Sequence, residues 1–198
     1  MILSKELIQK NNSDYLTDHK RDYAFITDHI NNPDNLIKKL TDFQIAIPSW
    51  ALGTGGTRFG RFGGGGEPRS LEEKIEDIGL LHSLTRSADA ISLHIPWDIP
   101  SDAEKIKKLA AQNNLRFDAM NSNTFQDQPD QKLSYKFGSM QNVNKAIRKQ
   151  AIEHNIEVIK YGVELGSKSL TVWLSDGSTF PGQLNFRKAF QNTLESLQ

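Results

Sequence analysis

A strand followed by a loop and a helix recurs four times in these 198 residues, and this repetition constrains the fold more than any other feature. Phe43-Gln-Ile-Ala-Ile-Pro48, Ala90-Ile-Ser-Leu-His-Ile95, Arg116-Phe-Asp-Ala-Met120 and Ser169-Leu-Thr-Val-Trp-Leu174 read as the strands. The first helix has a clear start. Ser70-Leu-Glu-Glu73 is a capping box after Pro68, and Leu71, Ile75, Ile78, Leu81 and Leu84 recur at helical spacing. Ser101-Asp-Ala-Glu104 opens the second helix, which runs through Ile106 and Leu109 to Asn113-Asn114. A long polar loop is expected from Asn121 to about Ser139. The longest helix then spans Met140 to Leu165, with Ile152, Ile156, Ile159 and Val163 spaced 4, 3 and 4 and Gly166 as its stop. Phe186, Phe190 and Leu194 mark the last helix. Two polar helical stretches, Lys5–Ile30 and Asn35–Leu40, precede all of this, with Pro33-Asp34 starting the second. Residues 1–42 therefore read as a helical extension and residues 43–198 as the βα units.

Strands separated by helices imply right-handed crossovers and a parallel sheet. A doubly wound sheet and a barrel both fit that pattern. Side-chain alternation favours one of them. Ile45 and Ile47, then Ile91, Leu93 and Ile95, then Leu170, Val172 and Leu174 would face the helices. Ala46, Pro48 and Trp50, then Ser92 and His94, then Thr171 and Trp173 would share the other face. A doubly wound sheet needs two apolar faces; a polar and aromatic second face suits a barrel lumen. Eight βα units usually take about 250 residues, and four are visible. The chain thus reads as an α/β protein, the N-terminal half of a (β/α)8 TIM barrel preceded by a helical extension, with its two outermost strands left as bare parallel edges.

Composition narrows the function. Lys+Arg number 24 and Asp+Glu 24, for a formal net charge of zero. That removes bulk basic charge as a means of holding nucleic acid or membrane surfaces. Cys is absent, which excludes disulfide scaffolds, thiol catalysis and Cys-zinc sites. Met1 to Asn12 has no apolar signal-peptide core, and no run approaches 18 apolar residues. The expectation is a soluble cytoplasmic protein.

Active sites of barrels lie at the C-terminal strand ends. There the chain places Trp50, His94 with Asp98, Asn121 with Asn123, and Trp173 with Asp176. His94 is either a core histidine held by a backbone carbonyl or, from its inward strand-end position, a proton donor or sugar-oxygen ligand. Trp50 and Trp173 are either packing residues or indole platforms for the C–H faces of a sugar, with N–H groups for its hydroxyls. Trp97, after Pro96, reads as a loop-shaping residue. His19, His29, His82 and His154 lie in helices without metal-ligand spacing and read as surface or packing residues. The stretch Gly53 to Gly66 lacks both phosphate-binding fingerprints, because Arg58 stands where the third Gly of G-x-G-x-x-G belongs. Its Arg58, Phe59, Arg61 and Phe62 are expected to dock on something. Asp98, Asp118 and Asp176 are the carboxylates near strand ends, too few in any visible spacing for an octahedral Mg²⁺ or Mn²⁺ site.

Ile-Pro-Ser-Trp50, Gly-Thr-Gly-Gly-Thr-Arg-Phe59, Gly-Glu-Pro-Arg69, Ser-Leu-His-Ile-Pro-Trp-Asp98, Phe-Asp-Ala-Met-Asn-Ser-Asn-Thr-Phe125, Ser-Tyr-Lys136, Leu-Thr-Val-Trp173, Asp-Gly-Ser178 and Phe-Pro-Gly-Gln183 together resemble the metal-dependent L-rhamnose isomerase family, in its broad-specificity, Pseudomonas-type branch. The strings follow the family's order from about Phe43 to Phe190. The resemblance implies a xylose-isomerase-like barrel, Mn²⁺ or another divalent cation, and aldose–ketose interconversion of the L-rhamnose/L-rhamnulose type. It implies a homotetramer acting on a small sugar. It also implies that Trp50, His94 and Trp173 line the sugar pocket, with His94 catalytic, and that Phe59 inserts into a neighbouring subunit's site. In the family the metal ligands come from later strands, so none is expected among these residues and the chain alone is expected to be inactive. The alternative is a non-catalytic carbohydrate-binding or oligomer-forming half-barrel; a phosphate-binding module is disfavoured by the missing fingerprint.

Overall fold

The strands are β1 (Ala46–Pro48), β2 (Ala90–Ser92), β3 (His94–Ile95), β4 (Arg116–Phe117), β5 (Met120–Thr124) and β6 (Leu170–Leu174) in a computed structural model that describes residues 3–43, 45–52, 65–180 and 182–198. Leu93 alone separates β2 from β3, and Asp118-Ala119 separates β4 from β5, so four strand paths result. All pair in parallel: β1 with β2, β2 with β4, β3 with β5, and β5 with β6. Order in space therefore follows order in sequence. A doubly wound sheet reverses its order at a switch point, and among the described residues there is no such reversal. This is half a barrel. Among them too, β1 and β6 each pair with one strand only.

Helices α1 (Lys5–Thr27) and α2 (Pro33–Thr41) precede the sheet; α3 (Leu71–Thr85), α4 (Ala103–Gln112) and α5 (Lys145–Leu165) connect the strand paths, and α6 (Phe186–Leu197) follows β6. The main core lies between the sheet and α3, α4 and α5. Ile75 and Ile78 from α3, Ile106 and Ala110 from α4 and Val158 and Leu165 from α5 meet Ile91, Leu93, Ile95 and Met120 there. The alternation read from the sequence thus holds in the second strand, where Ile91, Leu93 and Ile95 are fully buried against helices. It weakens at the two outer strands, where Ile45 and Leu174 are exposed for want of a neighbour.

The Ser70 half of the capping box forms: Ser70 Oγ accepts the Glu73 N–H at 3.2 Å, while the Glu73 carboxylate reaches one residue further back to accept the Arg69 N–H. Asp102, within the string that opens α4, caps it by accepting the Lys105 N–H at 3.0 Å. Two sequence readings need correction. The polar stretch read as a loop from Asn121 begins as a strand, because Met120–Thr124 is buried throughout. Two of its hydroxyls are matched: Ser122 Oγ donates to Asn155 Oδ1 of α5 at 2.7 Å, and Thr124 Oγ1 donates to the Trp173 carbonyl at 2.5 Å. Finally, α5 begins at Lys145, after the cap residue Asn144, rather than at Met140. Its buried stripe is Ala151, Asn155, Val158, Gly162 and Leu165. Ile156, Ile159 and Val163 point outward instead, at 48%, 48% and 73% exposure. Small residues face the sheet because α5 approaches it closely; a Cβ at Gly162 would sit 3.0 Å from Met120 Cγ. Gly166 ends α5 at φ 84°, as expected from its position.

Candidate functional site

The C-terminal ends of the strand paths bring five aromatic rings together. Trp50 stands in the 3₁₀ turn Ser49–Ala51 after β1, His94 opens β3, and Trp173 lies in β6. His94 is the centre of the group, 3% exposed. The Trp97 indole stacks on its imidazole at 4.1 Å and 16°, and Trp50 meets it edge-on at 5.2 Å and 82°. Phe125 lies 6.1 Å away and Trp173 6.5 Å. Trp50 and Trp173 are 6.3 Å apart and close to perpendicular. The three residues Trp50, His94 and Trp173, placed on one face by strand alternation, do converge.

Burial among rings pushes the His94 pKa down to about 4, against the weaker upward pull of the Asp98 charge; His154 and Lys74 add to the lowering. The ring is therefore neutral at pH 7. A neutral imidazole carries one donor and one acceptor nitrogen, and neither Nδ1 nor Nε2 has a hydrogen-bond partner among the described residues. Trp97 Nε1 and both amide atoms of Asn123 are buried and unpartnered in the same way.

Below the rings runs a polar scaffold. Asp98 is buried; its Oδ1 accepts Lys74 Nζ at 2.6 Å, and its Oδ2 accepts the His94 backbone N–H at 2.8 Å and the Ser49 hydroxyl. One carboxylate thus ties together α3, the start of β3 and the turn that carries Trp50. On the other side, Asn121 Oδ1 accepts Trp173 Nε1 at 2.9 Å, while its amide nitrogen donates to Ser92 Oγ and the Leu93 carbonyl, each at 3.0 Å. This corrects the expectation that the Trp173 N–H is free for a ligand hydroxyl, because Asn121 takes it. The bond aims the indole across the sheet.

Sequence reasoning missed several members of this site. Trp97 stacks on the histidine rather than merely shaping a loop; it lies beyond the end of β3 at Ile95, where strand alternation no longer fixes a side chain's direction. Phe125 follows a segment read as loop. Lys74 lies on the inner face of α3, four residues after Ser70, where spacing alone shows a helix position that faces the core. Phe59, with Arg58, Arg61 and Phe62, lies outside the described residues. Of the three strand-end carboxylates, Asp98 is engaged by Lys74, and Asp176 lines a cavity of about 260 Å³ beside Phe125 and Lys136. Asp118 sits between β4 and β5, far down the strand path. Among the described residues no three His, Asp or Glu side chains gather as metal ligands, so these residues do not fit a divalent cation. Nor is any helix among them long and apolar enough to cross a membrane.

Comparison with known proteins places the fold. A D-psicose 3-epimerase from Clostridium cellulolyticum H10, solved with D-tagatose, superposes on 78% of this chain and 46% of its own with a TM-score of 0.52 at 12% identity. The architecture is that of half a TIM barrel. No family model matches the chain. In sequence it is 49% identical over 201 residues to a probable sugar isomerase of Mesorhizobium japonicum, and 46% identical over 202 residues to a probable sugar isomerase of Rhizobium meliloti. Each alignment covers all of this chain but only 46% and 47% of the relative. The chain spans about half the length of the curated relatives it matches.

Proposed function

We propose that this chain is the substrate-lining half of an aldose–ketose isomerase of the L-rhamnose/L-rhamnulose type. One observation carries the reading: a buried, neutral histidine with two unpartnered nitrogens, enclosed by aromatic rings at the strand ends. A sugar presents C–H faces that suit indole walls and hydroxyls that suit an uncharged donor–acceptor pair. Trp50 and Trp173 serve as the walls. His94 positions the sugar and, being neutral at pH 7, accepts a hydroxyl proton during ring opening rather than supplying one from an imidazolium. The two relatives named as probable sugar isomerases support the same substrate class. A divalent cation such as Mn²⁺, a cytoplasmic location and a homotetramer belong to this reading, with the cation's ligands coming from outside these residues.

The test joins this chain to the remaining half of the Mesorhizobium relative and measures ketose formation from L-rhamnose. The 198-residue chain alone is expected to be inactive and the joined protein active. In the joined protein His94→Asn should lower kcat/KM by roughly 10²-fold, the lower scale of a general acid or base. Joined protein that turns over no aldose, or a His94→Asn variant with an unaltered rate, sinks the proposal. The gathering of aromatic rings without metal ligands among the described residues favours a second reading, a carbohydrate-binding half-barrel. That reading expects sugar binding without turnover in every form.

Phe59 is proposed to reach a neighbouring subunit's sugar pocket. Mixing Phe59→Ala subunits of the joined protein with His94→Asn subunits should restore part of the activity, because hybrid sites combine an intact Phe59 with an intact His94. No recovery, although subunits demonstrably exchange, assigns Phe59 to its own chain or to no site.

A further inference from the structure

The two outer strands of the half-barrel, β1 and β6, each pair with one neighbour among the described residues. In β6 the bonds to β5 define which side stays open. The Ser169 carbonyl accepts the Met120 N–H at 3.0 Å, and the Ser175 N–H donates to the Thr124 carbonyl at 3.1 Å. Peptide groups alternate along a strand, so those of Leu170, Val172 and Leu174 turn to the open edge. A row of unpaired peptide groups of this kind invites another strand.

Apolar side chains accompany both edges. Helix α6 buries Ala189 and Asn192 and leaves Phe186, Phe190, Leu194 and Leu197, spaced 4, 4 and 3, exposed as one stripe. A helix that follows a parallel strand packs back onto the sheet toward the next strand position; among the described residues no strand holds that position beside α6. Phe43 and Ile45, just before β1, are exposed as well.

Whatever covers both edges has to bring a β1-like edge to β6 and a β6-like edge to β1, both parallel and four strand paths apart. A second copy of the chain does so by construction. Rotation by 180° about the barrel axis lays its β1 along the first copy's β6 and its β6 along the first copy's β1, with every path pointing the same way. Eight parallel paths are the number that closes a barrel of this kind. The chain also matches 46% of the epimerase, so two copies amount to about one closed unit. Charge does not oppose the pairing, because Lys+Arg and Asp+Glu balance at 24 each.

We propose that the open edges of this chain dock on a second copy, closing a two-chain, eight-stranded barrel in which each β6 pairs in parallel with the other copy's β1. Phe186 and Phe190 then cover the seams. Because all the paths share one direction, the two His94 clusters open at the same mouth, and each copy supplies half of the wall around them. The pairing is independent of the sugar-binding reading above.

Sedimentation equilibrium of the 198-residue chain at micromolar concentration reads the mass, and cross-linking reads the geometry. The expected mass is twice 22.3 kDa. Changing Phe186→Glu and Phe190→Glu together alters two exposed positions and should weaken the dimer at least tenfold while the far-ultraviolet circular dichroism stays unchanged. The chain has no cysteine, so introduced ones report the seam without interference. Leu174→Cys and Ala51→Cys lie at the C-terminal ends of β6 and β1, and both positions are exposed. Mixed, the two variants should be joined by a short bis-maleimide. Leu174→Cys alone should not be, because the two β6 strands stand on opposite sides of the barrel. A monomeric parent overturns the proposal; if that monomer binds the remaining half of the Mesorhizobium relative, the edges belong to that half. A dimer that Leu174→Cys cross-links by itself, that the mixed cysteines do not join, or that survives both glutamates overturns it too.

Discussion

Replacing Lys74 by methionine should lower the unfolding free energy by about 3–5 kcal/mol, a large part of the roughly 5–15 kcal/mol that holds a typical domain. Lys74 and Asp98 are both buried, and their 2.6 Å ion pair is shielded from water. Removing the ammonium leaves a carboxylate in the interior that, among the described residues, keeps the Ser49 hydroxyl and the His94 N–H for support. The exposed pair Lys105–Glu72, at 3.2 Å, is the natural control; Lys105→Met should cost under about 1 kcal/mol. Urea unfolding of the two variants compares them directly. Similar losses for both would mean that the Lys74–Asp98 pair contributes no more than a surface contact. The loss also has a local address. Asp98 holds the Ser49 hydroxyl beside Trp50 and the His94 backbone N–H, so the Lys74 variant should lose the aromatic arrangement before the helices, seen as near-ultraviolet circular dichroism falling ahead of the far-ultraviolet signal.

Acid should destabilise the chain through His94 by an amount of similar size. In the unfolded chain its imidazole takes up a proton near pH 6.5, whereas in the folded chain burial holds it neutral down to about pH 4. Between those values the unfolded state carries more protons, so stability falls as pH drops through this window and is fully present above it. The displacement corresponds to on the order of 3 kcal/mol. His154, also lowered by burial, acts in the same direction. Chemical unfolding at pH 7 and pH 4.5, with and without His94→Asn, isolates the contribution: the variant should lose distinctly less stability on acidification. Identical pH slopes would mean that His94 titrates normally in the folded protein.

How far these features were legible in the sequence depended on which force decided each one. Burial of branched apolar side chains on a regular strand was readable, so Ile91, Leu93 and Ile95 fell on the helix side and His94 on the other. The caps at Ser70 and Gly166 were readable because they depend on local backbone geometry alone. The strand Asn121–Thr124 was not, since the burial of Asn121 and Ser122 depends on hydrogen bonds completed by Trp173, Asn155 and Ser92, distant in sequence. The face of α5 misled for a related reason. Isoleucines at helical spacing suggested the core, but close approach to the sheet selected Ala151 and Gly162 and turned Ile156 and Ile159 outward. At the site, the convergence of Trp50, His94 and Trp173 followed from alternation. Trp97, Lys74 and the capture of the Trp173 N–H by Asn121 depended on chain paths and partners that no spacing encodes.

The sequential order of the strand paths bears on how the chain is made. Among the described residues each path pairs only with paths next to it in sequence, the two inner ones on both sides and the two outer ones on one. Among the described residues no pairing skips a unit, so each new βα unit can dock on the edge left by the one before it. This order keeps the separation in sequence between paired strands small for a parallel sheet, the quantity that otherwise makes such sheets slow to form and open to aggregation.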